Sequence, residues 1–278
     1  MQGFQFPPTG FGVGSQPDDS EKVEWMPMPS GMATYEPRLP EIDDVEAAAI
    51  PPALEVLGRA AEACARIATE GGVEVVTLDH LAPAARVIVA QTMGEGEVSA
   101  KIEGAPPLRA QESVFAGVWV VSEGGAERLE IGRAPAAFFA RAFDPIEHAA
   151  GPFAPTSNAV VNAPGIVTEL FDAASRRKAG DAAHVVNLTL LPHTPEDLDH
   201  IAAALGKGAA EILSRGYGNC RVSATALHNV WFVRFYNSMD TLILDSIEVT
   251  DLPEVVCAAA EDLEDSAERL REVMDAIR

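Results

Sequence analysis

Arg215-Gly216-Tyr217-Gly218-Asn219-Cys220-Arg221, with Val230-Trp231-Phe232-Val233 and Asn237-Ser238-Met239-Asp240 downstream, is the stretch from which the fold can be read. Glycine turn chemistry, a cysteine, a histidine and several aromatics crowd together there, and the stretch has an echo. Moving back 112 residues places it on Glu103-Gly104-Ala105-Pro106-Pro107-Leu108-Arg109 and then on Val118-Trp119-Val120-Val121. Working outward, residues 52–121 fall on residues 164–233 at that single offset, without a gap. The matches include Pro52/Pro164, Val73/Val185, Thr77/Thr189, Leu78/Leu190, Pro83/Pro195, Gly94/Gly206, Gly96/Gly208, Arg109/Arg221 and Trp119/Trp231. Helix-start prolines, turn glycines and apolar strand positions dominate them, and those residue types fix backbone geometry and core packing. Two copies are too few for a solenoid. The reading is therefore an α+β fold, an internally duplicated mixed α/β unit (helix-strand-helix-strands) with its halves related by a pseudo-twofold axis.

Around the repeat, composition sets the boundaries. Residues 1–45 are rich in Gly, Pro, Ser and acidic groups and lack periodicity, which predicts a flexible, disordered N-terminal tail. The first α/β repeat occupies 46–143, a proline-interrupted linker 144–162, and the second α/β repeat with a C-terminal helix 163–278. Within the first repeat, Pro51-Pro52 starts a helix that Gly71-Gly72 stops, Val73 to Leu78 reads as a strand, and Pro83 to Gly94 as a second helix. Val98 to Ile102 follows as a strand, then Gln111 to Val121 as one long strand with Phe115 and Trp119 on one face, then a turn at Glu123-Gly124-Gly125. The second repeat reads as a helix from Pro164, a strand from His184 to Leu190, and a helix from Pro195 with Thr194 and Asp197 in a capping box. Cys220 to Tyr236 reads as a single strand, Leu242 to Val249 as another, and Asp262 to Ile277 as an amphipathic helix with Leu263, Ala267, Leu270 and Val273 inward.

The 278 residues are 47% hydrophobic and carry a net charge of −22 with a pI near 4.5. Such a balance opposes nucleic-acid phosphates and anionic membranes and suits a basic partner. No run is long and apolar enough for membrane insertion, so the expected location is cytoplasmic. Cys64, Cys220 and Cys257 are widely spaced, without CxxC or Cys/His finger spacing, so no metal site, cofactor or disulfide framework is expected. Gly94-Glu95-Gly96 and Gly206-Lys207-Gly208 follow helices and precede strands, the reverse of a phosphate loop. Along one strand Cys220 and His228 would lie roughly 26 Å apart at about 3.3 Å per residue, too far for a catalytic dyad. His193, Asp197, Asp199 and His200 read as a capped acidic helix start, not a metal set. No catalytic residues are assigned.

Divergence between the copies is more informative. Pro107-Leu108 has become Asn219-Cys220, Ala116-Gly117 has become His228-Asn229, and Arg234-Phe235-Tyr236 stands where the first copy has a plain hairpin. The expected recognition face is therefore Tyr217, Asn219, Cys220, His228, Arg234 and Tyr236 of the second copy.

GEGEVSAKI, QESVFAGVW, RGYGNCR, NVWFVRFYNSMDTLILDSIEV and PEVVCAAAEDLEDSAERL run in order from Gly94 onward. In these blocks the chain resembles the hydrogenase expression/formation proteins of the HupH/HyaF family. The resemblance implies a cytoplasmic, non-enzymatic accessory factor for maturation of uptake [NiFe]-hydrogenase, a chaperone binding the precursor of the iron-sulfur small subunit before export. It also implies a thioredoxin-like maturation companion as a partner. The alternative is a thiol-dependent redox or cluster-handling factor in which Cys220 does chemistry.

Overall fold

The structure is a computed structural model that describes residues 47–216 and 218–277. The expected tail at 1–45 and the candidate Tyr217 lie outside them. The elements are α1 (Ile50–Glu70), β1 (Val73–Thr77), α2 (Pro83–Met93), β2 (Val98–Ile102), β3 (Leu108–Glu112), β4 (Val118–Glu123), β5 (Ala126–Gly132) and α3 (Ala136–Arg141). They continue with α4 (Ala163–Arg176), β6 (His184–Asn187), α5 (Pro195–Leu205), β7 (Ala210–Ser214), β8 (Asn219–Ala224), β9 (Val230–Tyr236), β10 (Leu242–Val249) and α6 (Ala260–Ile277). Pro in the first turn starts α1, α2, α4 and α5, and left-handed glycines 71, 94 and 206 close α1, α2 and α5, each donating its N–H to the helix's last carbonyls.

All ten strands join one antiparallel sheet in the order β1-β5-β4-β3-β2-β7-β8-β9-β10-β6. Read from either end, that order is the same unit, so the duplication is built into the sheet. The seam is β2 against β7, where Ala100 pairs with Ile212, its own counterpart in the other copy. The pseudo-twofold axis passes through that pair. Equivalent contacts repeat on both sides. Trp119 Nε1 donates to Gly132 O and Trp231 Nε1 to Thr250 O, each at 3.1 Å. Ser113 and Thr225 hydroxyls each close the following turn, and those turns end on the positive-φ residues Gly117 (78°) and Asn229 (64°).

The structure departs from the expected elements in two places. The long strands expected at Gln111 to Val121 and Cys220 to Tyr236 are hairpins, β3–β4 and β8–β9, because these hydroxyl-capped, positive-φ turns reverse the chain. Phe115 therefore lies in a turn and packs in a different core from Trp119. The ungapped offset is also wrong upstream of α5. Sheet pairing matches Val75 to Val185 and Val76 to Val186, and buried helix positions Ala53, Val56, Leu57 and Ala60 match Ala163, Ile166, Val167 and Leu170. The offset there is 110, and a connection two residues longer before α5 restores 112. Leu78, 5% exposed, cannot be the counterpart of Leu190, 78% exposed; Leu188, fully buried, takes that role.

Three cores result. On one sheet face, α1, α2 and α6 cover β1, β5 and part of β4, while α4 and α5 cover β6, β10 and part of β9. On the opposite face a single core crosses the seam, with Trp119, Trp231 and Phe138 fully buried and α3 against it. The terminal helix α6 crosses from the second repeat to the first, burying Leu263, Leu270 and Val273 against α1, with Ser266 Oγ donating to Ala116 O at 2.9 Å. No helix among the described residues is long and apolar enough to cross a membrane.

Candidate functional site

The helix layers leave the middle of their sheet face uncovered. Strand alternation sends Val98, Ala100 and Ile102 of β2 down into the shared core and Ser99 and Lys101 up into the bare strip. The result is an open groove of about 890 Å³ across β4-β3-β2-β7-β8-β9. Two transverse rows of paired side chains make its floor. One runs Ser122, Arg109, Lys101, Glu211, Ser223, Phe232. The other runs Val120, Gln111, Ser99, Leu213, Arg221, Arg234. The pseudo-twofold turns each row into the other, so the groove belongs equally to both repeats. A second concavity of about 600 Å³ continues from Glu211, Ser223 and Arg234 along Ala202 and Ala203 of α5 to Glu147 and His148.

Four cations, Lys101, Arg109, Arg221 and Arg234, face this groove against the carboxylate of Glu211, in a chain of net charge −22. They come as two cross-strand pairs, Lys101 beside Arg109 and Arg221 beside Arg234. Like charges directly opposite one another on a sheet repel. In the second repeat the repulsion is offset: Arg221 reaches Asp240 at 3.3 Å and lies 4.7 Å over the Tyr236 ring, while Arg234 reaches Asp245 at 3.1 Å and lies 4.6 Å over Phe232. In the first repeat Lys101 has Glu103 at 3.3 Å, but Arg109 makes no ion pair or hydrogen bond among the described residues.

The structure brings together only part of the expected recognition face. Arg234 and Tyr236 line the groove, and Asn219, paired with Tyr236, shares the face of Arg221 at the start of β8. Cys220 points the other way, into the shared core, at 1% exposure. His228 sits in the β8–β9 turn with its ring 4.7 Å from that of Phe143. The hairpin does fold back between them, but Cys220 is at its far end, opposite Phe235 and five residues from the turn, so the two still form no dyad. Lys101, Arg109, Gln111 and Ser99 were not anticipated. Their strands look plain in sequence, and only the β2–β7 seam sets them beside the second repeat.

The thiols are poor nucleophiles. Burial pushes Cys64 and Cys220 up to about 12 and Cys257 up to about 11, so each is protonated near neutral pH. In the acidic run at the start of α5, Asp197 is committed to structure. Asp197, fully buried, accepts from the backbone N–H groups of Val161, Asn162 and Ala163 on one oxygen and of Thr194 on the other. Burial alone would raise its carboxyl; the four donors outweigh it and hold the group well below the usual range. Among the described residues no cluster of three or more His, Cys, Asp or Glu side chains is arranged to hold a metal.

Comparison with known proteins gives the groove a context. Residues 160–277 match the family described as "HupH hydrogenase expression protein, C-terminal conserved region". "Hydrogenase expression/formation protein HupH" of Rhodobacter capsulatus is 53% identical over the whole of both chains. "Hydrogenase expression/formation protein HoxQ" of Cupriavidus necator is 42% identical, over 99% of this chain and 98% of its own. "Hydrogenase-1 operon protein HyaF" of Escherichia coli is 34% identical over 73% of each.

Proposed function

The chain belongs to the HupH family of hydrogenase expression/formation proteins, and from that premise we propose that it is a non-enzymatic maturation factor that holds the iron-sulfur small subunit of an uptake [NiFe]-hydrogenase before export. The observation that carries the role in hydrogenase formation is the 53% identity, along the full length of both chains, with the Rhodobacter capsulatus protein named for hydrogenase expression/formation. The client, the cytoplasmic setting and a thioredoxin-like companion are the finer parts of the proposal.

The groove is the surface we assign to the client. It is large enough for several residues of polypeptide, spans both repeats, and offers guanidinium and aromatic groups of the kind that anchor interfaces, Arg221 on Tyr236 and Arg234 on Phe232. A polar floor fits a partner that must leave again. Chemistry at Cys220 has less support, since the thiol faces the core on the other side of the sheet.

Affinity purification of the tagged chain from cells making the hydrogenase tests the reading. The small-subunit precursor is expected to co-purify, and Ser99→Trp with Ser223→Trp, which fill the groove, should remove it while the melting temperature of the protein stays within a few degrees. Recovery of the companion or large subunit without the small subunit would overturn the client, and recovery undiminished by the tryptophans would overturn the surface.

A further inference from the structure

The first-repeat end of the groove carries an unbalanced charge. Lys101 and Arg109 stand directly opposite each other on neighbouring strands with both side chains exposed, and Arg109 has no carboxylate partner among the described residues. The cation pair of the second repeat, one strand further from the seam on β8 and β9, shows what balance looks like, since Arg221 and Arg234 each have an aspartate and an aromatic face. Glu127, the sheet counterpart of Asp245, is paired with Ser122 and so stands two strands from Arg109, roughly 10 Å at 4.8 Å per strand. It does not close the gap. In a chain of net charge −22, Lys101 has Glu103 at 3.3 Å and Glu211 directly opposite on β7, and Arg109 is left as the cation of this pair without a carboxylate.

We propose that the groove takes an acidic, extended segment of a partner polypeptide, with a carboxylate of that segment held between Lys101 and Arg109. The proposal rests on the reading above that the groove is the client surface, and adds the chemistry of what enters it. Length separates a peptide from a small anion. Arg109 on β3 and Arg221 on β8 are three strands and one row apart, roughly 16 Å at 4.8 Å per strand and 3.3 Å per residue. An extended segment of about five residues spans that distance, so carboxylates near its two ends reach both cation pairs at once. A single phosphate reaches one. Arginine's planar fork makes Arg109 the more directional anchor, with Lys101 a mobile point charge beside it. For a basic segment the groove lining offers one carboxylate, Glu211, which Lys207 already holds at 3.3 Å.

Fluorescence anisotropy with the full chain tests this, using a fluorescein-labelled six-residue peptide of alternating Glu and Ala and its Lys/Ala counterpart as probes. The Glu peptide should bind saturably and weaken as salt rises, and the Lys peptide should not compete. Lys101→Glu with Arg109→Glu should reduce affinity for the Glu peptide by about tenfold or more. Arg59→Glu with Arg271→Glu, on exposed faces of α1 and α6, makes the same change in net charge away from the groove and should alter it less than about threefold. Equal losses in the two variants, or no binding of the Glu peptide to the wild type, would overturn the proposal. So would displacement of the peptide by sodium phosphate at matched ionic strength, which would mark a small-anion site instead. The same variants are carried through the affinity purification. Small-subunit recovery that survives Lys101→Glu with Arg109→Glu sinks the acidic-segment proposal alone, and peptide binding without any small-subunit recovery sinks the client alone.

Discussion

Three buried side chains carry the residue-scale predictions. Cys220, with its thiol desolvated and pushed up to about 12, should resist maleimide at pH 7.5 until the chain unfolds, and Cys220→Ser should leave hydrogenase maturation under low oxygen intact. Rapid labelling of the folded protein together with loss of maturation in the variant would restore the redox reading. Asp197 joins the chain before α4 to the start of α5, and Asp197→Ala strands four backbone donors. At roughly 1–3 kcal/mol for each buried unsatisfied group, partly relieved by relaxation, a loss of about 3–5 kcal/mol in denaturant unfolding is expected. Because its folded pKa lies below the unfolded 3.8, that stabilisation is complete above the unfolded value and fades as pH falls through it. Glu112 runs the other way. Burial, opposed by the Gly117 N–H and reinforced by Glu97, raises it from 4.5 to about 7, so the folded chain binds the extra proton between those values. Stability contributed by the protonated form is complete below pH 4.5 and is lost as pH rises from there through about 7. Glu112→Gln should therefore gain on the wild type by about 3 kcal/mol between pH 4.5 and 8, and a constant difference across that range would show the carboxyl to be ordinary.

The clearest element-scale test of the duplication is the tryptophan pair. Trp119 on β4 and Trp231 on β9 are fully buried, donate to equivalent carbonyls at the same distance, and each meets a phenylalanine edge-on, Phe138 at 5.8 Å and Phe143 at 4.8 Å. Trp119→Phe and Trp231→Phe should each cost about 2 kcal/mol, combining a lost hydrogen bond with a small cavity, and the two costs should agree within about 0.5 kcal/mol. A severalfold difference would mean the repeats no longer share a core design. These same elements show what could be read in the chain beforehand. Trp119/Trp231 and Gly96/Gly208 fixed the repeat because their chemistry tolerates few substitutes, and Thr194 with Asp197 announced the capping box by spacing alone. The offset of 110 through α1, β1, α4 and β6 escaped notice because apolar helix and strand positions match almost as well two residues out of place. Only pairing partners separate Leu188 from Leu190. Arg234 and Tyr236 were visible as departures from the first copy, whereas Lys101 and Arg109 became part of a site through β2 meeting β7, a pairing between segments 112 residues apart that no local pattern encodes.

At the scale of the whole molecule, the two repeats share one sheet and one seam-crossing core, and α6 completes the first repeat's helix layer from the far side of the second. Residues 47–278 should therefore melt in a single transition seen equally by near-UV circular dichroism and by amide absorption. A fragment ending at residue 143 should not fold alone, because α1 would expose the face that Leu263, Leu270 and Val273 cover; adding a peptide of residues 260–277 should restore part of its helical signal. Two separated transitions would show the seam to be a mere contact between independent halves. The placement of α6 also sets an order of events at the ribosome. The end of α1 at Glu70 is made about 190 residues before Ala260, which at about 5–20 residues per second is a delay of roughly 10–40 s. Throughout that interval the nascent first repeat presents an open apolar seat to the chaperones that patrol the exit tunnel. A product cut short anywhere before α6 keeps that seat open permanently, so incomplete chains carry their own mark for proteolysis, and only a polypeptide translated through Ile277 loses it.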